Sequence, residues 1–205
     1  MVGRLGEGKT GVQAERQETP APPLFTVGHG TLSSDQFVPL VASAGIHSVV
    51  DVRSAPGSRR YPHFGRRAME QWLPAAGVAY RWEPDLGGYR RPVEGSPNTA
   101  LHHPSFRGYA DYMATASFAA GLRHVLDEAR TRPTAVMCAE TLWWRCHRRL
   151  VADAAVLLFG AEVRHLGHDG RLSAHQLTEG ARLRDVRGVA TVVYDAAAPT
   201  RRGAA

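Results

Sequence analysis

Lysine is nearly missing from this 205-residue chain: Lys9 is the only one, and the other 24 of its 25 cationic side chains are arginine. Cysteine is scarce too. Two residues, Cys138 and Cys146, cannot make a disulfide-stapled scaffold. No apolar run reaches the roughly 18 residues that a membrane span needs. Residues 1–23 hold charges, Gly, Gln and Pro but no apolar core of a secretory signal. These absences lead us to expect a cytoplasmic protein with no membrane partner. No CxxC pair occurs, and no internal repeat.

What is present is ordinary in amount. Hydrophobic residues make up 43% and charged residues 21% of the chain, which excludes wholly disordered and collagen-like classes. The length suits one domain. It is expected over residues 24–195, after a disordered leader (1–23) and before a loose tail (196–205). The net charge of +6 points weakly toward a polyanion. A GC-rich coding bias accounts for the average arginine, so individual positions must carry the information. Unlike lysine, arginine can fork onto a phosphate or carboxylate through two parallel bonds.

Apolar runs at 24–27, 48–52, 78–82, 134–138 and 162–166 predict strands. Helical spacing predicts a helix from a Ser33 or Ser34 cap to Gly45, and others over 66–76, 109–131, 142–159 and 173–184. Residues 189–193 read as an edge strand. The stretch 84–107, rich in proline and glycine, reads as a long loop of the kind that is usually functional or mobile. This alternation predicts an α/β fold: a three-layer sandwich with a mainly parallel, Rossmann-like sheet. Ligands of such sheets bind beyond the carboxyl ends of the strands. There the chain carries Gly28-His29-Gly30, Asp51-Val52-Arg53 and Cys138-Ala139-Glu140, which would face one crevice.

Two acids in one crevice, Asp51 and Glu140, are candidate acid/base residues. Arg53, Arg59 and Arg148 are placed to hold an anionic group. His29, Phe64, Arg107 and His147 join them as candidate substrate-binding residues. Each has a plainer alternative: Asp51 tying down Arg53, Arg53 and Arg59 closing their own loop, Glu140 facing a helix N-terminus. Cys138 is a candidate nucleophile or a buried structural thiol. Cys146 and His147, as neighbours on a helix, would point about 100° apart, so no metal and no cofactor is expected.

These motifs also carry a resemblance. Gly28-His29-Gly30, Asp51-Val52-Arg53 with Pro56, Ser58-Arg59 and Phe64, and Leu86-Gly87-Gly88 stand in order along the chain. Phe106-Arg107-Gly108-Tyr109-Ala110, Met113, Cys138-Ala139-Glu140 and Cys146-His147-Arg148 follow. In these the chain resembles the domain-of-unknown-function 488 family of small bacterial and archaeal proteins, over roughly residues 24–170. The resemblance implies an α/β fold and a polar, arginine-lined site at the motifs, and it implies no settled reaction. A weaker likeness, an early Asp-Val-Arg and a late strand ending in Cys, is to rhodanese-type sulfurtransferases. The loop after Cys138 departs from that pattern, having Trp143 and Trp144 and no glycine.

Three functional readings stay open on the sequence. One is a hydrolase or transferase acting on a nucleotide or nucleic acid. Another is a nucleic-acid-binding protein without catalysis. The third is sulfur-transfer or redox chemistry at Cys138. The expected partner is an anionic small molecule or a nucleic acid.

Overall fold

Ser33 starts the first helix. Its hydroxyl accepts the Gln36 backbone N–H while the Gln36 side chain accepts the Ser33 N–H, satisfying two orphan donors at once. Helix α1 (Ser34–Ser43) then buries Phe37, Leu40 and Val41. The structure is a computed structural model that describes residues 22–195 apart from Ser58 and Arg187. The expected leader and tail lie outside the described residues, save for Pro22 and Pro23.

Six strands form the main sheet. They are β1 (Leu24–Gly28), β2 (Ser48–Asp51), β3 (Ala79–Trp82), β4 (Thr134–Cys138), β5 (Val163–Leu166) and β6 (Leu172–Ala174), in the spatial order β3-β2-β4-β1-β5-β6. The first five are parallel, and β6 returns antiparallel along β5. β1, β2 and β4 are buried at every position, which is why they read as unbroken apolar runs.

Helix α2 (Arg66–Ala75) joins β2 to β3. Helices α3 (Pro104–Tyr112) and α4 (Ala116–Thr131) precede β4, and α5 (Arg148–Phe159) leads to β5. Alternate strand residues leave for opposite faces. Val27, Val49 and Met137 pack with Phe37 of α1 and Met69 of α2, while Val50, Val136 and Cys138 pack with Leu122 of α4 and Leu150 of α5. The result is a three-layer α/β sandwich. Register places Gly28 beside Cys138 and Asp51 beside Met137, so three strands end together at one edge. Among the described residues, no helix is long and apolar enough to cross a membrane.

Several elements differ from the sequence expectation. The helix expected over 109–131 is two helices. His103 Nδ1 accepts the Ser105 N–H and Pro104 opens α3; Thr115 caps a fresh start for α4. The helix expected from 142 begins only at Arg148. Trp143–Arg145 is one 3₁₀ turn and Cys146 is extended, with φ −122° and ψ 152°.

No helix forms over 173–184. That stretch holds β6 and the start of β7 (Ala181–Val186), which pairs with β8 (Val189–Tyr194) as a separate two-stranded ribbon rather than an edge of the main sheet. A buried polar chain explains the difference. The Asp153 carboxylate can only accept, so His175 Nε2–H donates to it at 2.9 Å. His175 Nδ1 then accepts from His165 Nε2–H at 2.9 Å, and His165 Nδ1 accepts the Thr26 hydroxyl at 2.7 Å. Thr178 N–H and the Tyr194 hydroxyl complete the carboxylate. Polar groups that a helix would turn to solvent are used here in long-range contacts.

Candidate functional site

Beyond the ends of β1, β2 and β4 lie two adjoining cavities of about 700 and about 590 Å³. The larger is lined by His29, Arg53, Ser54, Arg60 and Tyr61, the smaller by His103, Phe106, Glu140 and Cys146. Gly88, Tyr89, Cys138, Ala139 and His147 line both. Cys138 and His147 therefore stand at the junction of a two-lobed crevice.

The imidazole at that junction has a defined orientation. His147 Nε2 faces the Val52 carbonyl at 3.0 Å, and a carbonyl accepts only, so the ring carries its proton there. The Nδ1 lone pair then points at two sulfurs, Cys146 Sγ at 3.6 Å and Cys138 Sγ at 3.9 Å. All three donor atoms lie within 4.8 Å of one another. The expectation that Cys146 and His147 diverge on a helix is corrected. The extended Cys146 precedes α5, and His147 is its N-cap, so both side chains turn back toward β4. Both cysteines are free and buried. The Cys138 S–H holds the Cys146 thiol well below its ordinary pKa against the opposing effect of burial, with His147 and Arg148 contributing. The same contact, with burial, pushes Cys138 up.

One glycine makes this approach possible. A Cβ on Gly88 would lie 2.7 Å from His147 Nδ1, so only glycine lets the 87–89 loop pass over the ring. Tyr89 follows with φ of +78°, the only non-glycine residue with positive φ among those described. Its side chain is 90% exposed at the mouth of both lobes. Backbone strain of this kind concentrates at functional sites.

The other sequence candidates sort differently. Asp51 is fully buried and lines neither lobe. Its Oδ1 accepts from Arg53 N and Nε at 3.0 and 2.8 Å, and its Oδ2 from Arg53 Nη2 and the Tyr80 hydroxyl at 2.5 and 2.9 Å. Four bonds fill a carboxylate's capacity. Burial opposes the Arg53 charge, but the Asp51 carboxylate overrides this and holds the guanidinium above its ordinary pKa. Arg53 also donates to the Phe64 carbonyl at 2.7 Å and toward His29 Nε2 at 3.3 Å. His29 stacks on Phe64 at 4.1 Å, and burial followed by the Arg53 charge pushes its pKa down to about 4.

Arg148 is 1% exposed and is used up on the Glu140 carbonyl, the Thr141 carbonyl and Cys146 Sγ. Arg107 donates to the Leu101 carbonyl. Arg59 is exposed, and Arg60, rather than Arg59, lines the crevice. Thus Arg53, Arg59 and Arg148 do not converge on one anion, and Asp51 does not share a cavity with Glu140. Glu140 is exposed in the smaller lobe, with one 3.4 Å contact from the Leu142 N–H. On the sequence Arg60 reads as solvated surface, Tyr89 as one of several aromatics that stack a base or pack in the core, and Cys146 as no ligand; the structure puts all three on the crevice. The positive-φ Tyr after Gly-Gly left no periodic signal.

The model of a family described as domain of unknown function DUF488 matches residues 33–155. The chain belongs to that family. The match takes in β2, the Gly87-Gly88 loop and the Cys138, Cys146 and His147 cluster, while β1 and its His29 fall outside it. No curated protein and no solved structure matches the chain. Membership of the DUF488 family supplies no reaction, so any chemistry must be argued from the crevice.

Proposed function

We propose that this protein is an enzyme, a hydrolase or transferase, whose reaction centre is the Cys138, Cys146 and His147 cluster rather than the Asp51 and Glu140 pair. One observation carries this reading: His147, locked by the Val52 carbonyl, aims a free lone pair at two thiols where two open cavities meet. A structural thiol pair needs no such access.

The expected substrate is a small anion bearing a ring, of the nucleotide class. Arg60 supplies the positive charge: it stands 5.4 Å from the Tyr61 ring centre and has no acidic partner among the described residues. Tyr61 and Tyr89 supply faces on which a planar ring can stack. Glu140, accessible in the adjoining lobe, is the proton carrier for the leaving or attacking group.

The test is a panel of nucleoside mono-, di- and triphosphates and short oligonucleotides, with products followed by chromatography. Turnover of at least one member, reduced at least about 100-fold by His147→Gln and by Glu140→Gln with binding retained, supports the reading. Turnover that survives both substitutions overturns it. So does binding of oligonucleotides with a steep salt dependence and no product.

A further inference from the structure

We infer that Cys138 Sγ, Cys146 Sγ and His147 Nδ1 are three ligands of a divalent cation site of the zinc class, with a fourth position open to the crevice.

The first support is metric. A tetrahedral ion about 2.3 Å from sulfur and about 2.0 Å from nitrogen requires ligand edges of about 3.6 Å between them. The two sulfur-to-nitrogen distances are 3.6 and 3.9 Å. The whole triad fits within 4.8 Å, which a single ion can span with little rearrangement.

The second support lies behind the ligands. Imidazoles that bind metals usually donate their far N–H to a carbonyl or carboxylate, which fixes the ring and its tautomer. His147 does this with the Val52 carbonyl at 3.0 Å. Arg148 Nε donates to Cys146 Sγ at 3.4 Å, a contact that suits a metal-bound thiolate. Arg148 is itself anchored on the Glu140 and Thr141 carbonyls, so the donor is held in place.

The ligand set also chooses the ion. Two sulfurs and one imidazole exclude magnesium and calcium, which want oxygen, and favour zinc or its cobalt substitute. Two thiolates neutralise the charge of the ion in a partly buried place. Three protein ligands with access from two cavities match sites that keep a position for water or substrate, whereas closed structural sites supply four.

Use of the ion in catalysis rests on the enzyme reading above; the site itself does not. No sequence spacing announces it, because the ligands come from the end of β4 and from an irregular turn eight residues on.

The experiment is cobalt titration of the full chain, reduced and stripped of metal, under anaerobic conditions. The expected result is one ion per chain, a sulfur-to-cobalt charge-transfer band with tetrahedral ligand-field absorption, and displacement by one equivalent of zinc. Cys138→Ser, Cys146→Ser and His147→Gln should each weaken zinc binding by at least about 100-fold. Circular dichroism and thermal melting identify which of these variants remain folded. His147, the least buried of the three, is the safeguard should a cysteine variant fail to fold.

A folded wild-type chain without the charge-transfer band overturns the site, as does unchanged zinc affinity in a folded His147→Gln. Oxidation of the two thiols to a Cys138–Cys146 disulfide by added diamide, which takes up the two electrons and two protons, at the same rate with and without one equivalent of zinc also overturns it. Metal bound with no turnover of any substrate leaves the site standing and sinks the enzyme reading. Turnover that depends on the cluster without bound metal does the reverse.

Discussion

His147 gives its Nε2–H to the Val52 carbonyl at 3.0 Å, and this bond to a residue 95 positions away decides what the two cysteines can do. With the ring turned over about Cβ–Cγ, Cε1 would face the carbonyl and the Cδ2–H would face the thiols, and both contacts would be lost. As it stands, an acceptor faces both sulfurs.

Gly88→Ala tests how finely that ring is held. The new methyl would lie 2.7 Å from Nδ1 and 3.0 Å from Cγ of His147, inside any tolerable contact. We expect the fold to survive, at a cost of about 1–3 kcal/mol, while cobalt binding at the cluster falls sharply. Wild-type cobalt spectra in this variant would show that the ring position is not critical.

Asp51→Asn separates a structural carboxylate from a catalytic one. The substitution leaves Arg53, 7% exposed, charged without its counterion. Breaking a buried pair from one side costs about 3–5 kcal/mol. Chemical denaturation should therefore report a loss of this size. A loss under about 1 kcal/mol together with abolished turnover would return Asp51 to the reaction centre.

At Tyr89, stability and function should part company. Its φ of +78° costs a non-glycine residue about 1 kcal/mol. Tyr89→Gly relieves that strain while adding a similar entropy to the unfolded chain. We expect no net change in the unfolding midpoint, but a substrate KM raised roughly tenfold through the lost stacking face. An unchanged KM would remove Tyr89 from the substrate path.

The acid response follows from two buried histidines. The pKa of His29 falls to about 4 and that of His165 to about 3, chiefly through burial, from an ordinary value of 6.5. The folded chain keeps both neutral, so the unfolded chain binds more protons below the ordinary value. Stability is full above about pH 6.5 and declines as pH falls toward 4, by on the order of 3 kcal/mol for each residue. Urea unfolding between pH 8 and pH 4.5 measures this decline, which should be shallower in His29→Gln. A midpoint flat from pH 7 to pH 5 would contradict it.

Much of the architecture was legible residue by residue. Strands β1, β2 and β4 are apolar because both faces are covered, and Ser33 announces α1 through its own hydroxyl. Pro133 ends α4 because the residue before a proline resists helical geometry: Arg132 sits at φ −157° and ψ 151°. After Gly160 the strands at 162–166 and 189–193 form as their apolar runs predict, while 173–184 forms no helix because its polar groups are spent on Asp153 and on a two-stranded ribbon, neither of which is a local pattern.

The sequence by itself determined the α/β layering and which residues stand at the carboxyl edge of the sheet. Hydrophobic periodicity records burial position by position, and burial is what layers a sheet between helices. Only the tertiary structure decided which of those edge residues remain available. Asp51, Arg53 and Arg148 are consumed by partners, because buried charges must be neutralised or hydrogen-bonded. Cys138, Cys146 and His147 converge because an irregular turn and a carbonyl on a different segment aim them together. Such convergence is set by contacts between segments far apart in the chain, and no local pattern of residues encodes it.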